Sequence, residues 1–237
     1  MHRFFLLKEE LNCLEIKSEE FNHLKNVLRM KEGDDFVAIC NDEFNYFCKI
    51  TSLTKNSAKF CVTKKELNTA NPAKEIAIFQ GLAKGDKLEL VTQKATEIGA
   101  SKIVPVFFAN CDVKANTNKL TRLEKIAVSA CKQCGRSKVP EITECKQLKD
   151  LPDLIAGYDV CFFANEREDD KSFISLLNGN KNANKIAIIV GPEGGFTANE
   201  IATISSIAQS VSLGKRILRT ETAGIFMLSV ISAYYGA

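Results

Sequence analysis

The chain has 237 residues, 45% of them hydrophobic, which excludes wholesale disorder and suits one large domain or a small one joined to a medium one. Its net charge of +3 permits a nucleic-acid partner without arguing for one. No apolar run approaches the roughly 20 residues that span a bilayer. The opening MHRFFLLKEELN predicts no secretory leader, and nine cysteines without a disulfide-like spacing fit free thiols in a reducing cytoplasm.

Residues 1–70 read as a small β-rich unit. A strand opens at 4–7. Ser18 caps a short helix with Glu19 and Glu20 in its first turn, and Phe21, Leu24, Val27 and Leu28 share one face of it. Gly33 is expected to stop this helix. Strands follow at 36–40, 44–51 and 58–63, with a turn at Asn41-Asp42. The polar run Asn68-Thr69-Ala70-Asn71-Pro72 marks a boundary. Beyond it, strands at 76–80, 103–108, 158–163, 186–190 and 211–213 alternate with helices at 88–98, 120–134, 173–177, 200–208 and 220–235. Gly99 closes the first of these helices, and Leu120, Leu123, Ile126, Ala127 and Ala130 line the inner face of the second. Thr197 and Glu200 form a capping box. The alternation predicts a parallel α/β sheet wrapped by helices.

Two loops stand out. Gly191-Pro192-Glu193-Gly194-Gly195-Phe196 lies at the carboxyl end of a strand, where open α/β sheets bind ligands. Adjacent glycines let main-chain amides approach a ligand closely; the plainer reading is a tight strand-to-helix turn. The loop has neither a GK[ST] ending nor GxGxxG spacing, so no phosphate cradle is implied. In the second loop, 213–222, Lys215, Arg216 and Arg219 cluster beside the apolar Ile217 and Leu218. Alone it reads as a basic loop before a core helix. That helix is apolar on nearly all sides, which predicts burial against its own sheet and against a second subunit. Cys131 and Cys134 have CxxC spacing, but zinc needs two more ligands, and Cys145 and the two histidines supply no evident set. No metal is expected; two thiols on a buried helix stripe is the preferred reading.

Together, GPEGGF and LGKRILRTETA resemble the SPOUT class of S-adenosylmethionine-dependent RNA methyltransferases, within it the RsmE type that methylates uridine N3 in 16S ribosomal RNA. The likeness extends upstream through 93–100, through Gln133-Cys134-Gly135-Arg136 with 139–142, and through His23 with Val27-Leu28-Arg29-Met30. The resemblance implies an α/β SPOUT-type parallel sheet at 73–237 with a C-terminal trefoil knot, an exception to the rule that chains do not thread loops. It implies an N-terminal PUA-like β-rich barrel at 1–70 that helps bind RNA, and a homodimer formed through the SPOUT domain. It implies S-adenosyl-L-methionine held in a bent shape around Phe163, Ala164, Gly191, Gly195, Leu213, Gly214, Leu218 and Thr222. The implied partner is 16S rRNA in the assembled small ribosomal subunit, at the decoding region, with Arg3, His23, Arg29 and Arg216 facing RNA.

Uridine N3 attacks a methyl group only after its weakly acidic proton leaves, so the site needs a proton acceptor, in-line placement and cations near the uracil oxygens. Arg136 and Arg219 are the candidates for the cations. Glu193 or Glu221 is the candidate acceptor, although a carboxylate at a helix start also serves as a cap or dipole partner. His23 has an equal alternative as a half-buried helix histidine, and Arg3, Arg29 and Lys31 have one as ordinary surface charges. One departure stands out: many members of the family it resembles carry Glu-Arg after the strand at 103–108, where this chain has Ala109-Asn110-Cys111. Lys114 is the candidate substitute for that arginine. Two rival readings remain: a SPOUT enzyme acting on another rRNA or tRNA nucleotide, and a non-catalytic RNA-binding assembly factor.

Overall fold

A computed structural model describes residues 1–112, 119–169 and 172–236, and the chain divides into two units, 1–71 with 128–139 and 72–127 with 140–237. Lys114 lies outside the described residues.

The first unit comprises β1 (His2–Phe5), α1 (Lys8–Cys13), β2 (Glu15–Ile16), α2 (Glu19–Asn22), β3 (Asp35–Ile39), β4 (Phe44–Leu53) and β5 (Ala58–Leu67). Its sheet runs β1-β3-β4-β5-β2, parallel between β1 and β3 and antiparallel elsewhere. Buried aromatic rings hold it: Phe36 meets Phe4 and Phe60 edge to face, with centroids 5.3 and 5.5 Å apart. Glu10, on the unexpected α1, is only 8% exposed. Its carboxylate accepts the N–H groups of Lys17 and Ser18, both at 2.8 Å, and of Leu7 at 3.2 Å. Burial alone would raise its pKa; these hydrogen bonds outweigh burial and hold it below the usual carboxylate range.

Ser18 caps α2 as expected, its hydroxyl accepting from the Glu20 N–H. The helix then widens into a π turn over His23–Val27. The extra residue in that turn carries Val27 off the apolar face, so it is 68% exposed while Phe21 and Leu24 are buried. Arg29, not Gly33, ends the helix: it takes a left-handed φ of 53°, and the Met30 N–H returns to the Leu24 carbonyl at 3.1 Å. The polar run at 68–72 is engaged rather than free. Asn68 Nδ2 donates to the Gly135 carbonyl at 2.8 Å, and Asn71 Oδ1 accepts the N–H groups of Ser137 and Lys138.

The second unit holds β6 (Glu75–Gly81), α3 (Lys87–Ile98), β7 (Lys102–Phe107) and the start of α4 (Lys119–Cys134). It continues through β8 (Glu141–Ile142), β9 (Lys146–Gln147), α5 (Leu151–Ile155), β10 (Val160–Ala164), α6 (Phe173–Gly179), β11 (Lys185–Val190), α7 (Ala198–Ser205), β12 (Gln209–Val211) and α8 (Thr220–Tyr235). The sheet order is β12-β10-β11-β6-β7-β8, with β9 also on β7, and every pairing is parallel. Its central strands are buried on both faces. Ile76, Ile78, Ile186 and Ile188 share one cluster with Met227, Leu228 and Ile231 of α8, while Ala77, Phe79, Ala187 and Ile189 share another with Ile204 of α7. This period-two sorting is why these strands read as continuous apolar runs. Among the described residues no helix is long and apolar enough to cross a membrane.

Candidate active site

Three loops follow the carboxyl ends of neighbouring parallel strands: 164–169 after β10, 190–196 after β11 and 212–218 after β12. All three line one cavity, together with Thr220 and Ala223 of α8. Loops far apart in sequence meet because their strands are adjacent and point the same way.

The loop after β11 is held from several sides. Beneath it, Gly81 leaves no room for a side chain: a Cβ there would lie 2.5 Å from Pro192 N and 2.7 Å from Gly191 C. At the start of α8, the Thr220 hydroxyl donates to the Gly191 carbonyl and accepts from Gln80 Nε2 at 2.7 Å. Gln80 is 1% exposed, at the end of β6. Gly224 makes this contact possible, since a Cβ would stand 2.7 Å from Gln80 Oε1. Above, the Phe196 ring covers Gly191 and packs edge-on against Phe108 at 5.0 Å and Phe163 at 6.1 Å. From the side, Asn110 Nδ2 donates to the carbonyls of Gly194 and Gly195, both at 3.1 Å. The Ala109 N–H donates at 2.8 Å to Glu200, whose carboxylate also closes the capping box with Thr197. Ala109 and Asn110 thus strap this loop.

Ala164, Gly191, Gly195, Leu213, Gly214 and Leu218 line the cavity, as do Glu193 and Arg216. Phe163 is fully buried behind Phe196, and Thr222 is exposed and outside the lining. Successive helix residues turn by about 100°, so Thr220 faces inward where Thr222 does not. The cavity wall mixes carboxylates of Glu166, Asp169 and Glu193 with cations of Arg167, Lys215 and Arg216, and with apolar Ile201, Phe196, Leu213 and Leu218. Gly195 and Gly214 take left-handed φ values of 66° and 103°. A Cβ on Gly214 would meet nothing within 4 Å, so this main chain stands open to the space beside it.

A second cavity adjoins the first. It is lined by Lys84, Lys87, Asp112 and Arg219, and it shares Glu193, Ile217 and Leu218 with the first. Lys87 Nζ hydrogen-bonds Glu193 Oε1 and lies 3.9 Å from Glu221 Oε2. The Lys84 N–H reaches Glu193 Oε2 at 3.3 Å, and its ammonium pairs with Asp112 at 2.8 Å. Hydrogen bonding from Lys87 holds the Glu193 carboxyl below the usual carboxylate range, against a smaller opposing effect of burial.

The remaining sequence candidates belong to the first unit. Arg136 is 2% exposed there, and burial lowers its pKa against the opposing influence of Cys131 and Cys134. Cys131 is fully buried, which pushes its thiol up to about 12. Among the described residues no group of three or more His, Cys, Asp or Glu is disposed to hold a metal. Arg3 Nη1 donates to Asn45 Oδ1 at 3.1 Å, His23 sits edge-on to Phe4 at 5.8 Å, and Arg29 is exposed. Sequence reasoning did not single out Gln80, Gly81, Lys87 or Thr220 as site residues. The one available signal was Gln80, a polar residue closing an apolar strand.

Known proteins resemble this chain over most of its length. A family model described as the RNA methyltransferase domain matches residues 69–232, and one described as the RNA methyltransferase PUA domain matches 16–60. The ribosomal RNA small subunit methyltransferase E of Bacillus subtilis is 33% identical over 233 residues, covering 94% of this chain and 91% of that protein. The enzyme of the same name from Mesomycoplasma hyopneumoniae is 32% identical, over 97% and 98% of the two chains. Among solved structures, a ribosomal RNA small subunit methyltransferase E from Neisseria gonorrhoeae bound to S-adenosyl methionine is similar with a TM-score of 0.89 and 28% identity, covering 99% of this chain and 98% of that one. A methyltransferase from Legionella pneumophila in complex with the same cofactor gives 0.82 and 30%, over 93% and 91%. With this domain model spanning most of its length and such relatives matching it almost end to end, the chain belongs to the RNA methyltransferase family of the ribosomal RNA small subunit methyltransferases E.

Proposed function

We propose that this protein is an S-adenosylmethionine-dependent methyltransferase that modifies N3 of a uridine in 16S ribosomal RNA, at the decoding region of the assembled small subunit. The observation that carries the reading is the shared cavity of the three strand-end loops, in a fold whose relatives were crystallised with the cofactor bound.

The residues present suit that cofactor. Main chain at Gly191, Gly195 and Gly214 allows close approach, Leu213 and Leu218 offer an apolar surface to the adenine, and Arg167, Lys215 and Arg216 offer cations to its carboxylate. When bound, S-adenosylmethionine supplies a methyl group on a positively charged sulfur, which keeps the carbon–sulfur electron pair as the methyl leaves. The chain's own work is then to position the base, stabilise negative charge on the uracil oxygens and accept the N3 proton. Arg219, beside the second cavity, takes the charge role. Arg136 carries no step in this reading, because its side chain is buried.

The finer architecture is part of the same proposal. The return of α8 beneath β6 and β11, directly after the 212–218 loop, is compatible with a trefoil knot at the C-terminal end. Phe226 of the largely apolar α8 is 41% exposed, which supports a homodimer through this domain. The PUA-like unit supplies RNA contacts through exposed Arg29 and through Arg3 and His23, with the target base flipped out of its stack. A ribosomal substrate makes the enzyme cytoplasmic. Mass mapping of small-subunit rRNA from a strain lacking the gene tests the reading: N3-methyluridine should disappear and return on complementation. Its persistence in the deletion strain overturns the assignment.

A further inference from the structure

The two cavities share three residues, Glu193, Ile217 and Leu218, and of these only Glu193 ionises. A group that takes a proton from a base entering one cavity, while that base faces a methyl donor in the other, has to stand at this seam. Glu221 does not stand there: its side chain is 12% exposed and outside both linings. Its Oε2 is buried without a hydrogen-bond partner, and its charge partner is the Lys87 ammonium. Lys87 is therefore held between two carboxylates, hydrogen-bonded to one and paired by charge with the other.

We propose that Glu193 is the proton acceptor, that the target uracil enters through the second cavity, and that Lys87, anchored by Glu221, is the positioning residue that fixes the Glu193 carboxylate at the seam. The inference rests on the methyltransferase reading and chooses between its two carboxylates. In the proton step the N3–H bond breaks, the proton goes to a Glu193 oxygen, and the electron pair stays on N3, ready to form the bond to the methyl carbon. The lysine fixes direction as well as charge, because it occupies Oε1 while the Lys84 N–H approaches Oε2. The lowered pKa of Glu193 keeps it ionised and able to accept at working pH, yet makes it a weak base. Cations at the uracil oxygens carry the rest of the barrier, and Arg219 lines the same cavity. Among the described residues, the other charges near Lys87 are Asp86, beside it in sequence, Arg219 on the same cavity and the Lys84–Asp112 pair. Glu89, on the same helix, is taken by Arg122 at 2.7 Å.

The test uses the full-length protein with Lys87→Met, Lys87→Arg, Glu193→Gln and the Met/Gln double variant, small ribosomal subunits as substrate, and S-adenosylmethionine calorimetry on each. Lys87→Met should lower kcat about 10- to 100-fold, a part of what a proton acceptor contributes. Cofactor Kd should stay within about twofold, and Lys87→Arg should restore most of the loss. In the Glu193→Gln background, Lys87→Met should add nothing, since the lysine acts through that carboxylate. Independently of activity, the carbon-13 carboxyl resonance that vanishes in Glu193→Gln should titrate at a higher pH in Lys87→Met than in the wild type. A Lys87→Met enzyme with wild-type kcat, equal losses in both backgrounds, or an unmoved titration overturns the inference. Wild-type protein that leaves small subunits unmethylated contradicts the function itself, and the titration still decides the Lys87–Glu193 coupling.

Discussion

Gly81→Ala is the most informative single change in the protein. A Cβ at this position would lie 2.5 Å from Pro192 N, 2.7 Å from Gly191 C and 3.0 Å from Gly191 O. All three are main-chain atoms, and the loop that carries them is held by Thr220 and covered by Phe196. Relief therefore requires the 190–196 loop to move off β6. Forcing a methyl group into a packed site costs about 1–3 kcal/mol. Reduced freedom of the unfolded chain offsets about 0.4–1 kcal/mol of that. A net loss of about 1–2 kcal/mol lowers Tm by roughly 2–8 °C for a chain of this size. Where the bound cofactor resists the displacement, each 1.4 kcal/mol or so of strain weakens its binding about tenfold. Scanning calorimetry and titration with S-adenosylmethionine measure the two effects. Gly85→Ala is the control: its φ is 65° and nothing lies within 4 Å, so it should lower Tm through backbone strain and leave affinity alone. Wild-type Tm and affinity in Gly81→Ala would refute the claim that β6 presses on the loop.

Three further outcomes are expected. Thr220→Val removes the donor to the Gly191 carbonyl and the acceptor of the buried Gln80 amide, so it should cost about 1–3 kcal/mol in urea unfolding and weaken cofactor binding. Asn110→Ala frees the Gly194 and Gly195 carbonyls on an exposed surface; calorimetry should find affinity lower by roughly 2- to 10-fold, with Tm little changed. Glu10→Gln should lose about 1.5–3 kcal/mol at neutral pH. The Glu10 carboxyl is depressed in the folded state, so its stabilisation is full above the ordinary carboxylate range and is lost as pH falls through the lowered value. The wild-type advantage in urea titrations should shrink in acid; an advantage independent of pH argues against the hydrogen-bonded carboxylate.

The parts legible in the sequence were those with a local physical cause. The buried runs 76–80 and 186–190 announced central parallel strands because both of their faces are covered. Ser18 and the Thr197–Glu200 box announced helix starts because a cap is a contact within three residues. Periodicity failed at Val27, where a π turn shifts the register that a 3.6-residue repeat assumes. It was silent on α1, whose anchor is a single carboxylate reaching forward to residues 17 and 18.

Within the site, the first loop was visible because a glycine pair after an apolar strand is unusual, and the second because its cations cluster beside apolar residues. Their supports were not. Gln80 acts on Thr220 across 140 positions, Lys87 on Glu193 across 106 and Asn110 on Gly194 across 84. Such contacts exist only once the parallel sheet has brought the strand ends together. Asn110 is the instructive case: read in sequence as a lost arginine, it is in space a clamp on the glycine loop that lines the first cavity.

A crystal structure grown with S-adenosylmethionine tests the central claim most directly. The account predicts the adenosyl group among 164–169, 191–196 and 212–218, with the methyl carbon turned toward Glu193 and the second cavity beside Lys87 and Arg219. A cofactor seated elsewhere, or one whose methyl carbon faces the Glu166 and Arg167 side of the cavity, contradicts it.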